Sequence, residues 1–136
     1  MTHFTMPGDP TPRVLIVEAD LDTLDLLASC LRGHGYEVEG ACDEEAGLDS
    51  LRERGVPSLL LLDLNLPGID GWDFLDAVVS EPAWCAVPVI VLTGDPEVSQ
   101  QEASALGVDG VLLKPVDADV LLAAVGRCCD AGCVTA

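Results

Sequence analysis

Polar side chains follow four predicted strands at the point where each strand ends, and their types suit the handling of a phosphoryl group. Glu18 and Asp20 follow the first strand, Asp63 the third, Thr93 the fourth and Lys114 the fifth. Carboxylates, together with a backbone carbonyl, suit Mg²⁺, which prefers hard oxygen ligands. Thr93 and Lys114 offer a donor and a cation to phosphoryl oxygens. The chemistry indicated is phosphoryl transfer to the carboxylate of Asp63, which gives an acyl phosphate.

The elements that must position these residues are predicted from hydrophobic patterns. Four leucines at positions 59–62 form a short apolar run that ends at Asp63, which is typical of a central strand in a parallel sheet. Four other strands are predicted at Val14–Val17, Tyr36–Ala41, Val87–Leu92 and Val111–Leu113, and the second of these alternates apolar and polar residues, as expected near a sheet edge. A helix is predicted after each strand, and the fourth of these ends near Leu106. The first helix carries an apolar stripe: Leu24, Leu27, Ala28 and Leu31. This alternation predicts a flavodoxin-like, doubly wound α/β fold, with strand order 2-1-3-4-5 and helices on both faces.

Length and charge limit the classes of function. The 136 residues and 49% hydrophobic content suit one domain, which we predict over 13–130, between an N-terminal tail of 1–12 and a C-terminal tail of 131–136. The net charge of -18, with a single lysine, disfavours binding to nucleic acid. The acidic surface is either simply solvated or serves a basic partner, a metal or a salty cytoplasm. No apolar run reaches the roughly 20 residues of a membrane span, and no signal peptide is evident, so we expect a cytoplasmic protein.

The six cysteines fall into two groups. The first three lie inside or beside apolar stretches, and we interpret them as reduced core residues: Cys30, Cys42 and Cys85. The other three lie near the end, and we interpret them as incidental: Cys128, Cys129 and Cys133. Zinc binding and a redox pair are weaker alternatives, because no C-x-x-C spacing is present. A prenylation box over 133–136 is also weaker, because Thr135 stands where an aliphatic residue is usual.

The combined order of motifs resembles a known family. The acid after the first strand, Asp-x-x-x-Pro-Gly, Val-Leu-Thr-Gly and Leu-Lys-Pro occur between Arg13 and about Cys129. In this they resemble the receiver domain of bacterial two-component response regulators, including the single-domain chemotaxis type. The resemblance implies that Asp63 accepts the phosphoryl group, that Thr93 is the switch hydroxyl and that Lys114 contacts the phosphate. It also implies a cis peptide bond between Lys114 and Pro115.

The same resemblance implies a magnesium site and a rate-tuning pair. Glu18, Asp63 and the backbone carbonyl of Asn65 are the implied Mg²⁺ ligands, with Asp20 as an alternative. Asn65 and Asp95 occupy the positions that tune how fast the family loses its phosphate.

Two positions depart from the family pattern. Ala19 stands where a second acid normally ligates the metal, and alanine has no ligand atom. Either the longer Glu18 or an inward-turned Asp20 would have to replace it; otherwise we expect metal binding to be weaker by about 1.4 kcal/mol or more. Val111 stands where the family commonly has an aromatic residue that moves inward with the switch hydroxyl. We expect valine to alter or reduce the coupling to the surface of the last two helices.

Two functions from different classes follow. The first is a stand-alone phospho-acceptor switch. It receives its phosphoryl group from a histidine kinase or phosphotransfer protein and signals to a downstream protein partner. The second is a receiver-like module that binds a protein without phosphorylation, as Ala19 and Val111 favour. We expect a monomer or weak dimer that is not an enzyme, beyond promoting its own Mg²⁺-dependent phosphorylation and dephosphorylation. An enzyme acting on a small molecule has little support, since no nucleophile-base pair is evident.

Overall fold

The computed structural model describes residues 11–66, 71–97 and 107–134, with side chains up to Cys129. Within these residues the chain forms five strands and four helices. In chain order they are β1 Arg13–Val17, α1 Leu21–Arg32, β2 Glu37–Ala41, α2 Glu44–Arg54, β3 Leu59–Asp63, α3 Gly71–Ser80, β4 Val89–Thr93, β5 Gly110–Leu113 and α4 Ala118–Val134.

The strands form one parallel sheet in the order β2-β1-β3-β4-β5, which confirms the predicted topology. β3 lies at its centre, between β1 and β4. All five residues of β3 are buried, as expected for a strand that is covered on both faces. β2 lies at one edge and carries the exposed Glu37, so its alternating pattern was a sound indication of an edge strand.

The sheet separates two hydrophobic cores. Leu59 and Leu61 point into one core with side chains of α1 and α4, whereas Leu60 and Leu62 point into the other with side chains of α3. Successive residues of a strand face opposite sides, so one leucine run supplies both cores. The predicted apolar stripe of α1 is buried in the first core: Leu24, Leu27, Ala28 and Leu31.

Some predicted boundaries need correction or lie beyond what is described. α4 continues to Val134, so residues 131–134 of the predicted tail are helical; the one poor helix former there, Gly132, costs only about 1 kcal/mol. Residues 98–106 of the predicted fourth helix, and residues 1–10 of the N-terminal tail, lie outside the described residues. At the end of that tail, the carbonyl of Pro12 accepts a hydrogen bond from the N–H of Glu37 (2.9 Å).

The interpretation of the first three cysteines as core residues was partly wrong. Cys30 is half-buried and packs against the first core, but Cys42 and Cys85 are exposed. Cys42 lies in the bend after β2 and Cys85 in the turn after α3, where an apolar neighbourhood in sequence does not bury the side chain. On the last helix Cys129 is buried and Cys128 half-buried, and burial raises the pKa of the Cys128 thiol.

In the part of the chain that the structure describes, no helix has the length and apolar character needed to cross a membrane.

Candidate functional site

The candidate site lies at the carboxyl-terminal edge of the sheet. Asp63 and Thr93 are the last residues of β3 and β4, while Glu18 and Lys114 directly follow β1 and β5. In the register, Val17 lies opposite Leu62, Asp63 opposite Leu92 and Thr93 opposite Leu113. Parallel pairing therefore brings residues almost a hundred positions apart to one edge, where ligands collect in open α/β sheets.

Three charged side chains meet at this edge. The Lys114 ammonium nitrogen lies 2.8 Å from Glu18 Oε1, 3.0 Å from Glu18 Oε2 and 3.2 Å from Asp63 Oδ2. The carboxyls are almost completely enclosed, with Glu18 0% and Asp63 2% exposed, while the Lys114 side chain is 22% exposed. The cluster thus has one cation between two buried acids and opens to solvent on the lysine side.

Burial and the neighbouring acid change the proton affinity of Glu18. Loss of water around its carboxyl raises its pKa, and hydrogen bonding to the carboxyl of Asp63 raises it further. The ammonium of Lys114 and the N–H of Asp20, which donates to Oε2 at 3.1 Å, act in the opposite direction. Burial and Asp63 prevail, so the pKa of Glu18 is raised.

Lys114 stays cationic in this site. Burial alone would lower its pKa, but hydrogen bonding and charge attraction from Glu18, together with Asp63, outweigh burial and raise the pKa. The ammonium is therefore available to anionic oxygens. Its peptide bond to Pro115 is cis, as the family resemblance implied.

The loop after β3 holds the Asp63 carboxylate from its other side. The N–H of Asn65 donates to Asp63 Oδ1 at 2.9 Å, while Oδ2 faces Lys114. Gly71, at the start of α3, lies so close to this loop that a Cβ there would overlap the backbone of Leu64. The role of the Asn65 carbonyl as a metal ligand stays a prediction.

Thr93 lies between the strands that carry Asp63 and Lys114. Its hydroxyl oxygen accepts a hydrogen bond from the N–H of Asp95 at 3.0 Å, so its own hydrogen is free to donate. Its carbonyl accepts from the N–H of Lys114 at 2.7 Å, which ties the ends of β4 and β5 together. A Cβ at the adjacent Gly94 would meet no heavy atom of the described residues within 4 Å, its two chain neighbours aside, so the backbone of Gly94 is open on that side.

Asp20 does not join the cluster. Its side chain is the N-cap of α1 and accepts hydrogen bonds from the backbone N–H and the hydroxyl of Thr23. These bonds lower the pKa of Asp20, with the Thr23 hydroxyl as the main cause. In this structure Asp20 is turned toward the start of α1, and its role as an alternative metal ligand stays a prediction. Asp directly before the apolar stripe of a helix is a preferred N-cap residue, and this signal was present in the sequence.

A magnesium ion would find a reduced set of ligands here. Glu18 and Asp63 supply two buried carboxylates, and Glu18 Oε1 accepts no well-directed hydrogen bond from the described residues, despite its 2.8 Å distance to Lys114. An open, hard oxygen of this kind fits a divalent cation. Across the described ranges, however, no three side chains of the His, Cys, Asp and Glu types come together as a metal site. The residues fit Mg²⁺, but with two acidic side chains.

Val111 is half-buried and packs against the second core. It lies opposite Val91 of β4, one residue before the buried Leu112. Its effect on coupling to the last helices stays a prediction.

Comparison with protein families identifies this arrangement. The family model of the response regulator receiver domain matches residues 14–126. The chain belongs to this receiver domain family. The match covers the five strands, apart from Arg13 at the start of β1, and the four residues gathered at the sheet edge.

Receiver-domain relatives occur both as short proteins and as parts of longer ones. The chain is 36% identical over 117 residues to an uncharacterized 14.6 kDa protein of Leptolyngbya boryana, covering 85% of this chain and 88% of that one. It is 32% identical over 115 residues to the DNA-binding dual master transcriptional regulator RpaA of Synechocystis, covering 84% of this chain and 47% of RpaA. The chain thus spans about half the length of RpaA.

Solved structures show the same receiver fold. The chemotaxis response regulator CheY4 of Vibrio cholerae superposes with a TM-score of 0.79 at 28% identity, covering 88% of this chain and 99% of CheY4. A CheY-like receiver domain protein of Methanospirillum hungatei gives 0.78 at 29% identity, covering 90% and 96% of the two chains. These similarities confirm the flavodoxin-like fold.

Proposed function

We propose that this receiver domain is a phospho-acceptor switch of the cytoplasm. A histidine kinase or phosphotransfer protein donates a phosphoryl group to Asp63, and a downstream protein binds the altered surface. The observation that carries the proposal is the Lys114 ammonium held 3.2 Å from the buried Asp63 carboxylate, with the Thr93 hydroxyl at the end of the neighbouring strand.

The chain's own residues account for the transfer. A carboxylate oxygen of Asp63 attacks the phosphorus of phosphohistidine; the new P–O bond forms as the P–N bond breaks, and the histidine leaves with the electron pair of that bond. Lys114 and the hydroxyl hydrogen of Thr93 stabilise the negative charge on the phosphoryl oxygens. Burial of Asp63 strengthens these interactions because little water screens them.

Mg²⁺ would be held by Glu18, Asp63 and the backbone carbonyl of Asn65, and when bound it would neutralise phosphoryl charge. Asn65 and Asp95 would tune the lifetime of the acyl phosphate. Catalysis would be limited to the domain's own phosphorylation and dephosphorylation, so the domain acts as a signalling switch rather than as an enzyme. The strongly negative charge supports a protein partner over nucleic acid, and we propose a monomer or weak dimer.

The reduced number of acids at the site favours a second candidate function. Ala19 offers no ligand atom and Asp20 caps α1, so the cluster has one acid fewer than the family pattern. A receiver domain with a weakened metal site could bind its partner without phosphorylation, through its acidic surface.

One experiment separates the two functions. The protein is incubated with acetyl phosphate or phosphoramidate and Mg²⁺, and its intact mass is measured beside those of Asp63→Asn and of Asp43→Asn. Asp43 is a matched control, because its carboxylate caps α2 by accepting from the N–H of Ala46 and asparagine is an equally good N-cap. The switch predicts a single phosphoryl adduct in the wild type and in Asp43→Asn, and none in Asp63→Asn. Absence of any adduct, together with no Mg²⁺ binding by titration, would exclude the switch in favour of the second candidate.

A further inference from the structure

Gly71 approaches the backbone just after Asp63 more closely than a residue with a side chain could. It is the first residue of α3 and is buried. A Cβ built on it would overlap the Cα of Leu64 and would lie 2.7 Å from the carbonyl oxygen and 2.8 Å from the carbonyl carbon of that residue. These are main-chain atoms, so they cannot turn aside as the end of a side chain can. Any other residue at position 71 must therefore shift α3 or the backbone after Asp63.

Hydrogen bonds hold Leu64 in place on both sides of this contact. The N–H of Gly71 donates to the carbonyl of Leu64 at 3.0 Å. The N–H of Leu64 donates in turn to the carbonyl of Leu92 in β4, also at 3.0 Å. Leu64 is thus tied to α3 through its carbonyl and to the sheet through its N–H.

The bond at Gly71 also orients the next N–H along the chain. The carbonyl of Leu64 and the N–H of Asn65 belong to one planar, trans peptide unit and point in opposite directions, so fixing the carbonyl fixes the N–H. This N–H donates to Asp63 Oδ1 at 2.9 Å, while Oδ2 lies 3.2 Å from the Lys114 nitrogen. The contact at Gly71 therefore helps to determine which oxygen of the carboxylate faces the lysine.

We propose that Gly71 is a positioning residue for phosphoryl transfer. Its missing side chain lets α3 hold the peptide unit between Leu64 and Asn65, and the N–H of this unit orients the Asp63 carboxylate. Gly71 contacts none of the reacting groups and acts only through that peptide unit. The inference rests on the proposed function for its effect on the reaction, but the orientation itself exists in the unphosphorylated protein.

Gly71→Ala should displace α3 or rotate the peptide unit, and so slow the phosphorylation of Asp63. We expect the maximal rate constant with acetyl phosphate and Mg²⁺ to fall by about 10- to 100-fold, because a misplacement of about 1 Å can cost about 100-fold. Intact mass followed over time measures this rate, and circular dichroism shows whether the variant is folded.

Gly40→Ala is the matched control. A Cβ there would lie 3.0 Å from a methyl carbon of Leu24, so it crowds a side chain rather than the backbone. Gly40 lies on β2, which β1 separates from the strand of Asp63, and the rate should stay unchanged. A wild-type rate in folded Gly71→Ala, or an equal loss of rate in both variants, would overturn the proposal.

A second measurement follows the peptide unit directly and involves no phosphorylation. In ¹⁵N-labelled protein the NMR signal of the Asn65 amide should move more in Gly71→Ala than in Gly40→Ala. In the wild type, the amide hydrogens of Gly71 and Asn65 should exchange with solvent more slowly than in an unstructured peptide, which tests the orientation even if Gly71→Ala does not fold. Exchange at the unstructured rate, or an unmoved Asn65 signal in folded Gly71→Ala, would overturn the proposal. If the wild type forms no phosphoryl adduct but these amide signals behave as expected, the result counts against the proposed function alone.

Discussion

The small side chain at position 19 is expected to weaken metal binding in this domain. Ala19 is half-buried beside Glu18 and packs against the second core. A carboxylate at this position would add a third acid to Glu18 and Asp63. This acid would lie just after β1, next to Asp20, whose carboxylate already caps α1.

We therefore expect Ala19→Asp to raise the Mg²⁺ affinity by about tenfold, since one added ligand of about 1.4 kcal/mol corresponds to one decade. Calorimetric titration measures this directly. Ala19→Asn has nearly the same shape without the charge and should gain less. An unchanged affinity in Ala19→Asp would mean that Glu18 and Asp63 already complete the site.

For the residues of the site, the sequence predicts which side chains lie at one edge but not which of them form ion pairs. Strand ends predicted that Glu18, Asp63, Thr93 and Lys114 share one edge, because parallel strands leave no other arrangement. The close pairing of Glu18 with Lys114 could not be predicted, since it depends on side-chain length and burial across 96 positions. The outward turn of Asp20 was predictable, because Asp is a preferred N-cap residue directly before a helix.

Among the elements, the central strand β3 contributes fully buried side chains to both hydrophobic cores. Its leucines are 0% exposed and alternate between the two cores. A sheet that is packed on both faces should lose stability wherever a β3 side chain is shortened, whichever core it faces.

Leu60→Ala and Leu61→Ala should each lower the free energy of unfolding by about 2–5 kcal/mol, because each removes buried methyl groups and leaves a cavity. Urea denaturation measures the loss. Leu26→Ala is the matched control: Leu26 is 71% exposed on α1, so its change should stay within about 0.5 kcal/mol. A large loss for only one of the two β3 variants would show that one face of the sheet is loosely packed.

The sequence predicted these elements well inside a continuous hydrophobic pattern and poorly at residues just outside such a pattern. The leucine run and the stripe of α1 were correct because each hydrophobic position in them faces a core. Cys42 and Cys85 were misplaced because each lies in a bend or turn just outside an element, where side-chain direction no longer follows a period. The end of α4 was predicted four residues too early, although no proline interrupts the helix before Val134.

The whole molecule carries a net charge of -18, because 24 acidic side chains outnumber six cationic ones. Lys114 lies within the candidate site, Arg13 donates to the carbonyls of Arg54 and Gly55, and Arg52 pairs with Asp49. Exposed acids such as Asp25 of α1 and Asp76 of α3 thus act within a strongly negative field. Such self-repulsion disfavours the compact state and weakens as salt screens it.

Thermal stability should therefore rise with potassium chloride between about 0.1 M and 1 M, as the screening length falls from about 10 Å to about 3 Å. Calorimetric or circular dichroism melting curves measure the midpoint at each concentration. The double variant Asp25→Asn with Asp76→Asn removes two exposed charges, so it should melt higher in low salt and gain less from added salt. If added salt raises the melting midpoint of both proteins equally, the cause is general exclusion of salt from the protein surface and not screening of these charges. In that case the acidic surface would not limit stability and would be free to serve a basic partner.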